Sequence, residues 1–161
     1  STKTTILLIR HFNCWKNRAY VPEIMITYNS INVACPALDQ LKVTEWINAI
    51  ALSYGKKIDV VNYIFVDDEE ILRINRQFIG HDYYTDHIGF DTSQGNYLSG
   101  DTYISIDTVC TNAQKFGTTF ADELHRVIIH SILHLCGFED HTPEDRQHME
   151  EAENAALAVL K

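Results

Sequence analysis

The sequence lacks most of the features that would assign it to a specialised environment. Its four cysteines, Cys14, Cys35, Cys110 and Cys136, lie far apart, with no Cys-x-x-Cys pair. That excludes the dense disulfide framework of a small secreted domain and predicts reduced thiols in cytosol. The opening STKTTILLIRHFNCWKNRAY has no long apolar core or small-residue cleavage site of the secretory kind, and no apolar run is long enough to span a bilayer. The expectation is a soluble, cytoplasmic protein with no membrane partner. Positive charge is also scarce: 13 Lys and Arg against 22 Asp and Glu give a net charge of −9 with histidines neutral. Such an average field repels nucleic acid, so an RNA contact would require a local basic patch or a metal cation. Internal repeats and low-complexity segments are absent.

What remains is ordinary globular material. Apolar residues make up 45% and charged residues 22% of 161 positions, which is too hydrophobic for intrinsic disorder. A chain of this length fits one domain that buries roughly two thirds of its unfolded surface. Residues 1–24 show no sustained period and are expected to be an N-terminal extension, with a single domain over 25–161.

Periodicity then orders the domain. EIMITYNSINV, from Glu23, contains a short strand. LDQLKVTEWINAIALSYGKK places Val43, Trp46, Ile47, Ile50, Ala51 and Tyr54 on one helical face. IDVVNYIFV, residues 58–66, is β-branched and aromatic and predicts a strand. Asp67 caps a helix whose apolar face is Ile71, Ile74 and Phe78 and which stops at Gly80. A strand at His87 to Asp91, a polar turn at Ser93 to Asn96 and a strand at Thr102 to Ile106 predict a β-hairpin. TVCTNAQKFG is helical up to Gly117, and FADELHRVIIHSILHLCG is a helix apolar nearly all round, hence central. Thr142, Pro143 and Asp145 suit the N-cap, first and third positions of a last helix, whose acidic face and His148 are expected in solvent. The fold class is α+β: a small mixed sheet flanked by helices.

The chemistry concentrates in HSILHLCGFEDHTPED, residues 130–145. His130 and His134, one helical turn apart, project from the same face and can present two imidazoles to one ion, and zinc accepts neutral histidine nitrogen readily. A single buried histidine is more often a hydrogen-bonded core residue, but two at this spacing among Ile, Leu and Val carry a desolvation cost that one shared cation answers. Gly137 lets the chain turn back, and Asp140 and His141 are both competent third ligands. Neighbours in an extended segment point in opposite directions, so only one of them binds. The Glu of the zinc-protease motif His-Glu-x-x-His is absent, because Ser131 stands there. A three-ligand ion with an open position could still activate water or polarise a phosphoryl or carbonyl oxygen.

This segment resembles the YbeY family of bacterial rRNA maturation factors, metal-dependent single-strand endoribonucleases. The family motif His-Gly-x-Leu-His-Leu-x-Gly-Tyr-Asp-His runs here as HSILHLCGFED. LSGDTYISIDTV, HDYYTDHIGFD and ELHRVIIH resemble the family's other segments, so the similarity extends from about Met25 onward. The resemblance implies a metalloprotease-like (zincin-like) fold on a four-stranded sheet, with one zinc, or another divalent metal, held by the motif's three ligands. It also implies phosphodiester hydrolysis in rRNA maturation, at the small-subunit 3′ end, and in ribosome quality control, with single-stranded or ribosomal RNA and ribosomal particles or proteins as partners.

Aligned without a gap, the family's third histidine falls on Asp140, which makes His130, His134 and Asp140 the expected ligands and His141 the alternative. The family's glycine is Ser131 here, consistent with slightly looser helix packing. Its arginine, a candidate phosphate contact, falls on Ile79, with Arg73, Arg76 and His81 near enough to substitute. Asp82 and Asp86 suit loop turns as well as substrate contacts. No general acid or base is apparent, and His141, Glu139 and Glu123 are the weak candidates. Two other readings use the same ligands: a hydrolase of peptide or amide bonds, and a ribosome assembly factor with a structural metal.

Overall fold

The computed structural model describes residues 5–9, 24–79 and 85–161, with the side chains of 5–9 and 79 left aside. The expected Gly80 stop, His81 and Asp82 lie outside the described residues, as does Cys14. The remaining cysteines, Cys35, Cys110 and Cys136, are free thiols.

The strands are β1 (Thr5–Ile9), β2 (Ile24–Ser30), β3 (Lys57–Val66), β4 (His87–Asp91) and β5 (Tyr97–Ser105), arranged β1-β2-β3-β5-β4. The expected four-stranded mixed sheet is present as β2-β3-β5-β4: β2 and β5 flank β3 in parallel, and β4 runs antiparallel to β5. Thr5–Ile9, inside the stretch expected to be an extension, pairs antiparallel with β2 as a further edge strand. Five of its residues in a row are TILLI, a β-rich run too short to register as a period.

Helix α1 (Gln40–Ser53) connects the parallel strands β2 and β3 and buries Val43, Trp46, Ile47, Ile50 and Ala51. Tyr54 departs from the expected face: it is the C-cap and half exposed, and its ring meets Phe138 edge-on at 5.2 Å. Asp67 caps α2 (Asp68–Ile74) by accepting from the Glu70 amide at 2.8 Å. Ile71 and Ile74 are buried as expected, but Phe78 is 60% exposed. A π-helical turn over Asn75–Ile79 changes the angular step between residues, so Phe78 rotates off the apolar face and packs edge-on against Phe90.

Ser105 ends β5 and caps α3 (Ile106–Phe116), so Ile106 opens the helix rather than closing the strand. Gly117 terminates α3 at φ 65°, where a side chain would be strained. Helix α4 (Phe120–Leu135) is central, burying Leu124, Val127, Ile128, Ile129, Ile132 and Leu133. Helix α5 (Pro143–Leu160) starts with the full capping box of Thr142 and Asp145 and is tied to α1 by Trp46 Nε1, which donates to Ala156 O at 2.8 Å.

Candidate metal centre

Two features of α4 aim its histidines. One is helical spacing, which puts His130 and His134 on one face with ring centroids 4.5 Å apart. The other is the turn after the helix, where Gly137 adopts φ 105° and Phe138 N donates back to Leu133 O at 3.0 Å. That reversal brings Phe138 O to 3.0 Å from His134 Nδ1. On the other ring, His130 Nδ1 lies 2.7 Å from Glu153 Oε2, supplied by α5. Each Nδ1 therefore faces an oxygen that only accepts, so each Nδ1 carries a hydrogen and each neutral ring has its lone pair on Nε2.

The two Nε2 atoms face each other at 2.9 Å. Asp140 Oδ2 completes a triangle with them, 3.5 Å from His130 Nε2 and 3.2 Å from His134 Nε2. Two lone pairs and a carboxylate oxygen repel at these distances unless a cation joins them. Ligands of a tetrahedral zinc with bonds of ~2.0–2.1 Å sit about 3.3 Å apart, close to all three separations. The donor set therefore fits a divalent ion. His141, by contrast, is exposed, and its carbonyl accepts from Arg146 Nη1 at 3.3 Å.

A third imidazole enters from the sheet. His87, the first residue of β4, offers a ring nitrogen within 4.8 Å of those of His130 and His134. Its Nδ1 lies 2.7 Å from Asp86 Oδ1. Asp86, weighed in sequence as a turn residue or a substrate contact, thus partners a histidine.

Electrostatics follow the same geometry. Burial pulls the His130 pKa down, but the Glu153 hydrogen bond and charge, with Asp140 and Asp86, outweigh it and the net shift is upward. His134 moves down, through burial first and the neighbouring His130 second, against the pull of Asp140. Burial would raise Asp86, yet its hydrogen bond to His87 and the histidine charges hold it below the usual carboxylate range. The cluster favours one positive charge in its midst and resists two.

A cleft of 630 Å³ opens beside the triad, and His130, Asp140, Glu123, Arg126 and Arg146 are among its lining residues. Glu123 is the one weak acid/base candidate in that cleft. It is only 5% exposed, and burial raises its pKa against the opposing charge of Arg126. Glu139 is exposed and, like His141, does not line it. Ser131 is buried, with Oγ donating to Ile128 O at 2.6 Å and 3.2 Å from the Tyr63 hydroxyl. The place of the family glycine is thus occupied by a buried, hydrogen-bonded hydroxyl.

The arginines weighed as phosphate contacts lie on the solvent side of α2 and the π turn. Arg73 is exposed and held by Glu70, Nη2 to Oε1 at 2.6 Å, and by Gln77. Arg76 is exposed on the π turn. Neither lines the cleft, whereas Arg126 and Arg146 do.

The family model described as Endoribonuclease YbeY matches residues 26–161. The chain belongs to the YbeY endoribonuclease family. Its relatives include Endoribonuclease YbeY of Bacteroides thetaiotaomicron, 55% identical over 83% of this chain and 98% of that protein. Endoribonuclease YbeY of Parabacteroides distasonis is 53% identical, covering 84% of this chain and 95% of its own. For Porphyromonas gingivalis the identity is 43%, over 84% and 90%. The solution structure of TM1509 from Thermotoga maritima superposes with a TM-score of 0.58 at 27% identity, covering 78% of this chain and 85% of that one.

The sequence reading does not mark two residues of this cluster. His87 stands in a predicted strand and in a segment that resembles the family's, where no ligand role falls to it. Glu153 was placed with the solvated acidic face of α5, although it is 7% exposed. Its spacing from the buried Met149, Ala152 and Ala156 marks the apolar face, and that signal was available.

Proposed function

We infer that this chain is a metal-dependent endoribonuclease that cleaves single-stranded RNA during rRNA maturation, at the small-subunit 3′ end, and in ribosome quality control. The family supports the reaction class. The observation that carries the metal dependence is the convergence of two Nε2 lone pairs and Asp140 Oδ2 within 3.5 Å of one another.

His130, His134 and Asp140 would hold one divalent ion, zinc by the nitrogen-rich donor set, and His141 remains in solvent. When bound there, such an ion would supply Lewis-acid activation of a water and of a phosphoryl oxygen. The protein's own part is orientation. Glu153 and Phe138 O fix both imidazole tautomers, and Arg146, with no carboxylate partner among the described residues, offers a phosphate contact along the cleft. Glu123, whose pKa is raised by burial, is the candidate for proton transfer to the leaving oxygen.

Net charge of −9 is compatible with this substrate because the cation and the cleft arginines meet the phosphates locally. Residues 25–161 would form the catalytic domain, in the cytoplasm, with ribosomal particles as the physiological partner. Ser131 cannot act as the protease glutamate does, since its hydroxyl is committed to Ile128 O and Tyr63.

The test is incubation of the metal-loaded protein with single-stranded RNA, duplex RNA and a peptide library. Cleavage confined to single strands is expected. Peptide turnover with RNA intact, or binding of ribosomal particles without any cleavage, would overturn this reading.

A further inference from the structure

All three histidines of the cluster are built alike. His130 Nδ1 is 2.7 Å from Glu153 Oε2, His134 Nδ1 is 3.0 Å from Phe138 O, and His87 Nδ1 is 2.7 Å from Asp86 Oδ1. An oxygen acceptor on one ring nitrogen, leaving the other free for an ion, is the usual arrangement of a metal-ligating histidine. His87 also faces the site. Its ring stands edge-on to His130 with centroids 4.9 Å apart, and its side chain is 20% exposed.

The backbone holds it there. His87 pairs with Ile104 in the β4–β5 ladder, and Ser105 N donates to Asp86 O at 2.9 Å. The dyad is thus anchored on both sides by main-chain pairing with β5. A mere surface ion pair between adjacent residues would not require this anchoring, nor a ring turned toward two other imidazoles.

Building on the proposed His130, His134 and Asp140 site, we propose that His87 is a fourth protein donor to the same ion, with Asp86 as its positioning residue. The resting site then has three nitrogens and one carboxylate oxygen, a closed set suited to zinc. His87 is the donor carried by the sheet, on edge strand β4, rather than by α4 or the turn after it, so it is the ligand whose departure would open a position for water. The His87 ring lies nearer to His130 than to His134, with centroids 4.9 and 6.4 Å away against 4.5 Å between the two α4 histidines.

The test compares wild type with His87→Phe, which keeps the ring contact with His130 and removes the nitrogens, and with His87→Asn, which is smaller and polar. Zinc affinity is measured by competition with a chromophoric chelator, and the visible spectrum is recorded after loading with cobalt(II). Both variants are expected to bind zinc at least roughly tenfold more weakly, and the cobalt band to weaken and shift as nitrogen ligation is lost. Affinity within twofold of wild type and an unchanged cobalt spectrum in either folded variant would overturn the proposal. His134→Ala is run alongside. If it loses the ion while the His87 variants do not, only the fourth donor is wrong; if it keeps the ion, the metal site itself is wrong.

Discussion

Glu153 Oε2 lies 2.7 Å from His130 Nδ1, although 23 residues separate the two in sequence. The last helix, not α4 itself, therefore sets the tautomer and ring angle of the first motif histidine. The same carboxylate accepts from Arg126 Nη1 at 2.9 Å through its other oxygen, so it is fully engaged.

Replacing Glu153 by Gln keeps the shape and removes the charge that makes His130 a strong donor. Zinc affinity is expected to fall roughly 10–100-fold, the range typical for loss of an outer carboxylate partner. Competition with a chelator measures it, and unchanged affinity would reduce Glu153 to a packing role.

The same pair makes a pH-dependent contribution in the metal-free protein. The folded-state pKa of His130 is raised: burial lowers it, and Glu153, with Asp140 and Asp86, together outweigh that burial. Stabilisation from a raised histidine is complete below its unfolded pKa of about 6.5 and is lost as pH rises through the folded value. Glu153→Gln should thus destabilise the chelator-treated protein more at pH 6 than at pH 9. The part that persists at pH 9 belongs to Arg126. Urea denaturation at both pH values checks this, and equal losses at the two would contradict it.

Ser131 is expected to matter for stability and not for chemistry. Ser131→Gly replaces a helical serine by glycine, costing about 0.5 kcal/mol in propensity, and deletes hydroxyl bonds to Ile128 O and Tyr63 worth about another 1.5 kcal/mol. A loss of roughly 2 kcal/mol in unfolding free energy with cleavage rate per folded molecule retained is the expected result. A rate loss out of proportion to unfolding would give the hydroxyl a catalytic part.

Local signals made much of this fold legible. The Val43 to Ala51 face, the Asp67 cap and the Thr142, Pro143 and Asp145 start of α5 depend on residues within a turn of one another, and each appears in place. Tyr54 and Phe78 were misplaced because an ideal helical period was extended past a cap and through a π turn, where the step between side chains changes. At the site, the i, i+4 histidines and the turn at Gly137 were readable for the same local reason. His87 and Glu153 were not: they reach the cluster through sheet pairing and helix docking, which no short window of sequence encodes. Asp101 shows the same limit on a smaller scale. It accepts from Asn62 Nδ2 at 2.7 Å across β3 and β5, a partner 39 residues away in sequence.

The most direct test of the account is the rate of single-stranded RNA cleavage as zinc is titrated into chelator-stripped wild type, Asp140→Ala and His141→Ala. Asp140 Oδ2 is 3.2 Å from His134 Nε2, and His141 is exposed. Wild type and His141→Ala should regain cleavage together at about one zinc per chain, while Asp140→Ala should require far more zinc or remain inactive. Cleavage by the stripped proteins without zinc, or rescue of Asp140→Ala with failure of His141→Ala, would contradict it.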